Sequence, residues 1–197
     1  MKERLLFFLC ALIGLFSLAS CGETGAENDY VNWQERNTHY IDSIATVAKA
    51  NLGSEVGKWK IIKSYTSTTP DAITGYGNTS EYVYAQIKEI GTGTESRLFT
   101  DSVGVSYRGL NIIHKIFDHS YKGPFDSAID QPSGFYLKSL VNGWTTALQQ
   151  MHAGDRWLLY IPNELGYKSS NTSTIIPSYS TLIFDVHLSY IYRVGRK

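Results

Sequence analysis

The chain has 197 residues, enough for one domain of ordinary size with extensions. Its 18 Lys and Arg balance 18 Asp and Glu, and no basic stripe suggests nucleic acid as a partner. Fourteen tyrosines among frequent aromatics favour a β-rich fold over a helical bundle.

Residues 1–20 read as a targeting segment. Lys2 and Arg4 form a positive start, and Leu5 to Leu18 is apolar but short for a membrane span. Leu18-Ala19-Ser20-Cys21 resembles a bacterial lipobox. That resemblance implies cleavage before Cys21 and lipid on its sulfur and amine, several acyl chains together giving stable anchoring. Gly22 replaces the usual inner-membrane retention Asp, so by lipoprotein sorting rules the expected site is the outer membrane, on its periplasmic or surface face. The alternative is plain secretion with Cys21 incidental. Cys10 lies in the leader, which leaves the mature chain without a disulfide.

Residues 21–29 are small and polar and read as a tether. From residue 30 to about 52, Trp33, Tyr40, Ile41, Ile44, Val47 and Ala48 recur near helical spacing, with Gly53 as a stop. Such a stripe buries against its own domain, against a second copy or against a client, which makes a homodimer through the 30–52 helix, or a second client-holding surface, one expectation. Lys58 to Tyr65 reads as a strand, residues 66–80 as a loop, and Glu81 to Ile90 as a strand turned by Gly91-Thr92-Gly93. A domain boundary falls near residue 80, separating a 30–79 extension from an 80–197 domain. Residues 119–134 read as a long loop.

Trp144, Ala147, Leu148 and Met151 then share one helical face, with Asn142 as the expected N-cap and Gly154 just past the end. Arg156 to Ile161 is rich in aromatic and β-favouring residues and reads as a strand ended by Pro162-Asn163. Taken alone, this segment describes a short helix packed on a sheet with Trp144 in the core. None of the five histidines forms an H-x-x-x-H pair, and there is no G-x-S-x-G elbow or Walker motif, so no metal or cofactor is expected.

Seven ordered pieces resemble the FKBP-type peptidyl-prolyl cis-trans isomerases. They are Val103-Gly104-Val105-Ser106-Tyr107-Arg108-Gly109, Phe117-Asp118-His119-Ser120, Val141-Asn142-Gly143-Trp144, Ala147 to Gly154, Ile161 to Tyr167, Ile175-Ile176-Pro177 and Thr181 to Leu188. The resemblance spans roughly residues 80 to 192. It implies an α+β fold, a curved antiparallel sheet wrapped around one short helix from Trp144 to Met151, preceded by the helical extension. It also implies proline-containing polypeptides as clients. Trp144 would be the floor of a proline pocket, with Tyr107, Phe117, Val141 and Phe184 as walls. Leu140 would stand at the rim beside the Val141 N–H. Tyr167 would offer its hydroxyl, Asp118 would orient the amide, and Ile175 and Ile176 would close one side.

Three departures from the family pattern stand out. Ser133 occupies a position where the family often has a second aromatic, for which Phe125 of the longer loop is a candidate replacement. Lys168 replaces a glycine, and Lys168 to Thr174 lacks the family's usual Gly, His and Pro. The departures keep open a second reading, a binding or chaperone module with little catalysis.

Overall fold

The computed structural model describes residues 29–69, 77–94 and 99–193. The leader, Cys21 and residues 70–76 of the expected polar loop lie outside the described residues. Helix α1 runs Trp33–Ala50, followed by strand β1, Trp59–Lys63. Strands β2 (Tyr82–Glu89) and β3 (Ser102–Leu110) come next, then the short β4 (Ile116–His119) and β5 (Ser133–Tyr136). Helix α2 (Asn142–Leu148), strand β6 (Arg156–Ile161) and strand β7 (Leu182–Tyr192) complete the order.

Among the described residues the strands form one seven-stranded sheet in the order β1-β2-β6-β7-β3-β4, with β5 also paired to β3. Every strand pairing is antiparallel. Register shifts at Gly104/Val105 between β3 and β7, and at Gly109/Leu110 between β3 and β4, mark bulges. Bulges add local twist, which lets the sheet curl around α2. Residues Asn32–Lys197 form one compact unit.

Alternation along β2 explains why two helices can use one sheet. Val83, Ala85 and Ile87 face a large core shared with Trp144, Ala147, Leu148 and Met151. Tyr82 and Tyr84 face the other way and pack with Ile41, Ala45 and Ala48 of α1 and with Trp59. The stripe of α1 is thus covered by this chain's own sheet. It is also rotated from the expected one. Asn37 and Ala45 are buried, while Val47 is 46% exposed.

Helix α2 begins earlier than expected and is shorter. Val141, not Asn142, is the N-cap, and it makes no side-chain cap bond. The Asn142 Oδ1 instead accepts the Tyr65 hydroxyl at 3.2 Å. Met151 lies beyond the helix, after the turn at Gln149–Gln150, and is fully buried, so the apolar face outlasts the helix itself. Gly143 explains how closely α2 approaches the sheet. A Cβ at that position would lie 2.3 Å from Ile161 Cγ2.

Candidate active site

Four aromatic rings meet between α2, β3, β5 and β7. Trp144 on α2 is 4% exposed, and three rings stand edge-on to its indole. Phe184 of β7 lies 5.0 Å away at 82°, Tyr107 of β3 at 5.2 Å and 88°, and Phe135 of β5 at 5.7 Å and 76°, measured between ring centroids. Edge-to-face contacts at this separation match the aromatic quadrupole. Phe117 of β4 extends the wall, 5.4 Å from Phe184 at 90°. Gly109 makes room for that pair, since a Cβ there would meet Phe117 at 2.6 Å and Phe184 at 2.7 Å.

Polar groups at this site are sparse and partly unengaged. The Trp144 Nε1–H is buried and has no hydrogen-bond partner among the described residues. The Tyr107 hydroxyl donates to Asp118 Oδ2 at 2.8 Å, and the His119 backbone N–H donates to Asp118 Oδ1 at 2.9 Å. The carboxylate itself is exposed, so the pair fixes its direction without burying it. Burial first, and the Asp118 bond second, push the Tyr107 phenol well above its ordinary range. Burial, with Asp118 nearby, raises the Tyr167 phenol too. No hydrogen bond among the described residues uses the Tyr167 hydroxyl or the Val141 N–H. Two donors therefore stand free beside an aromatic floor.

The residues expected from sequence mostly converge. Tyr107, Trp144, Ile176 and Phe184 belong to one buried cluster, with Phe117, Leu140, Val141 and Tyr167 packed against it. Asp118 joins through Tyr107. Ile175 does not join by its side chain; its carbonyl accepts the Asn111 Nδ2–H at 2.9 Å, which ties the rim loop to the turn after β3. Among the described residues no group of three His, Cys, Asp or Glu side chains is placed to hold a metal.

Two findings correct the wall. Phe125 does not replace the missing aromatic at Ser133. Its ring lies 4.8 Å from His187 and 5.2 Å from Tyr121, with the Arg156 guanidinium 4.9 Å away. His187 alternates with the core-facing Val186 and Leu188, so this contact lies on the opposite face from Trp144. The cationic Arg156 draws the ring there. Phe135, not singled out by sequence, supplies a wall instead. The available signal was an aromatic at period two from Ser133, on a strand that ladders with Val103. The Lys168 departure also gains a physical meaning. Lys168 sits at φ 55°, the left-handed region in which a glycine is at ease and a lysine is not.

Residues 95–189 match the family model described as "FKBP-type peptidyl-prolyl cis-trans isomerase". Through this stretch, just under half of the chain, the sequence is similar to the FKBP-type family. Its aromatic floor and the Tyr107–Asp118 pair fall inside the matched FKBP span. The chain is 36% identical over 103 residues to "Peptidyl-prolyl cis-trans isomerase Mip" of Coxiella burnetii, covering 52% of this chain and 42% of that one. It is 34% identical over 103 residues to "Outer membrane protein MIP" of Legionella longbeachae, covering 52% and 41%. The chain spans about half or less of the length of the curated relatives it matches. The solved isomerase structure from Pseudomonas syringae aligns over 81% of this chain and 96% of that one, with a TM-score of 0.56 at 24% identity, a likeness of fold.

Proposed function

We propose that this protein accelerates cis–trans rotation about X–Pro bonds in exported polypeptides. The observation that carries the reading is Trp144, ringed by Tyr107, Phe135 and Phe184, with an unpartnered buried indole N–H and free donors at Val141 and Tyr167. An X–Pro amide resists twisting by about 18–20 kcal/mol because resonance holds it planar. No bond is made or broken, so a catalyst needs only to bind the twisted amide better than either planar form. An apolar floor disfavours the charge-separated planar form by excluding water. In this reading the proline ring rests on Trp144. The Val141 N–H and Tyr167 O–H steady the client's backbone carbonyls, and Asp118, held by Tyr107, orients the turning amide.

Supporting the envelope setting are the basic-then-apolar start, the lipobox-like Leu18 to Cys21, and the printed name of the Legionella relative. On this reading Cys21 carries lipid, and the clients are proteins that have crossed the inner membrane. A Cys21→Ser variant should leave the membrane fraction on cell lysis. If it stayed there under salt and carbonate washes, the lipid anchor would be wrong.

The activity is tested with a protease-coupled assay on a Leu-Pro peptide. Wild type should relax the cis peptide faster than background. Tyr107→Phe, which frees Asp118 while keeping the ring, should lower kcat/KM about tenfold, the size of one lost hydrogen bond to a charged group. A wild-type rate equal to background, together with suppression of client aggregation, would favour the binding-module reading over catalysis.

A further inference from the structure

We infer that α1 is a strut for the pocket rim, and that Asn37 and Trp33 are positioning residues for the isomerisation proposed above, on which the inference rests. The rim segment carrying Ile175 and Ile176 runs into Pro177, Ser180 and Thr181 before entering β7. Asn37 is 1% exposed, in the middle of a stripe that is otherwise apolar or aromatic. A buried amide in such a stripe is costly unless each of its groups is satisfied. Both are, one within the helix and one that ties the helix to the segment before β7. Its Oδ1 accepts the Thr181 backbone N–H at 2.7 Å, and its Nδ2 donates to the Trp33 carbonyl at 2.7 Å. The Trp33 Nε1–H donates to Ser180 Oγ at 2.9 Å, and Ser180 Oγ–H donates onward to the Pro177 carbonyl at 2.6 Å. A continuous polar chain therefore links one turn of α1 to the residue that follows Ile176.

This polar chain adds a tie to α1 beyond those the rim makes locally. Lys168 to Thr174 is exposed, and the segment turns through left-handed backbone at Lys168 and Tyr179. Its other ties include the Asn111 amide to the Ile175 carbonyl, the Tyr179 N–H to the Lys168 carbonyl, the Lys168 N–H to the Asn163 carbonyl, the Thr172 and Ser173 N–H groups to the Ile176 carbonyl, and the Ile176 N–H to the Ser173 carbonyl. Those ties set the loop's own shape and its link to the turn after β3. The bonds from α1 fix where Pro177 and Thr181 enter the sheet, and so where Ile176 meets the cluster around Trp144. Buried polar networks that are fully satisfied make one arrangement strongly preferred. The helix thus lies on one face of the sheet while its polar chain holds the rim of a pocket on the other.

The test compares variants of the full chain. Asn37→Ala breaks both amide bonds, Asn37→Asp keeps an acceptor for the Thr181 N–H, and Ser180→Ala cuts the link to Pro177. Ala48→Gly loosens α1 at its far end without touching the rim. Asn37→Ala and Ser180→Ala should lower kcat/KM by roughly tenfold, mostly through KM, with Asn37→Asp recovering much of the loss and Ala48→Gly losing none at matched temperature below melting. Hydrogen exchange at residues 175–181 should quicken in Asn37→Ala but not in Ala48→Gly. Equal kinetics and equal exchange in Asn37→Ala and Ala48→Gly would overturn the strut. A wild type with no isomerase activity would overturn the catalytic reading alone. The exchange comparison would then decide the strut by itself.

Discussion

Trp33 and Trp144 are buried alike, 6% and 4% exposed, and yet their indole N–H groups are treated differently. Trp33 lies under the turn of α1 that meets Ser180 and finds a partner there. Trp144 lies at the base of a ring of aromatics and finds none. A buried Trp usually satisfies its N–H. The α1 face follows that rule, with Asn37 and Trp33 paired throughout. The pocket breaks it, and it also leaves the Val141 N–H and the Tyr167 hydroxyl unengaged. Asn37 and Trp33 pair within the chain, whereas on the proposed reading the donors around Trp144 are kept for a client's backbone.

The contrast can be broken by mutation. Trp144→Ala should have the largest effect, about 3–5 kcal/mol of unfolding free energy together with loss of peptide turnover. Urea melts and the coupled assay read both, and retained turnover would remove Trp144 from the floor. Gly143→Ala comes next. Its new Cβ would press on Ile161 and push α2 off β6 at a cost of about 1–3 kcal/mol, tilting the floor while leaving the α1 face untouched. A variant as stable as wild type would show that α2 has slack.

The sharpest comparison is the pair Trp33→Phe and Trp144→Phe. The first breaks a hydrogen bond and should cost about 1 kcal/mol more in stability than the second. The second should cost more turnover. A reversed order in the melts would mean that the two N–H groups do not differ in the way described.

The smallest effect is on alkaline stability, and it reaches both faces. Burial raises the phenols of Tyr107 and Tyr167 at the pocket, and of Tyr84 and Tyr160 beneath α1, Tyr160 to about 12 from an ordinary 10.0. The folded chain therefore holds these protons more tightly than the unfolded chain. The stabilisation is complete below pH 10 and drains away as pH rises through the unfolded value toward the folded ones. Absorbance at 295 nm against pH should show a late tyrosine class released together with unfolding. Ordinary titration of every tyrosine near pH 10 would refute it.

Much of the pocket was legible because its chemistry repeats at short range. Tyr107, Phe117, Trp144 and Phe184 each sit in a compact motif, and the strand Arg156–Ile161 was read to the residue because it is rich in aromatic and β-favouring residues and stops at Pro162. Helix ends were less legible. Asn142 has the chemistry of an N-cap, but Tyr65, 77 residues away in sequence, claims its side chain. Phe125 and Phe135 show the same limit. Both are aromatic and both lie near the pocket in sequence. Only strand register puts Phe135 against Trp144, and only the position of Arg156 draws Phe125 to the far face.

By itself, then, the sequence determined most of the elements, since periodicity acts over a few residues, and it pointed to Trp144 as a floor only through the resemblance of its motifs to a family. Only the tertiary structure decided that Asn37 was a partner of Thr181, 144 residues distant, and not a misplaced polar residue in an apolar stripe. A buried amide declares its role through the group that satisfies it, and that group is brought close only when the sheet closes around both.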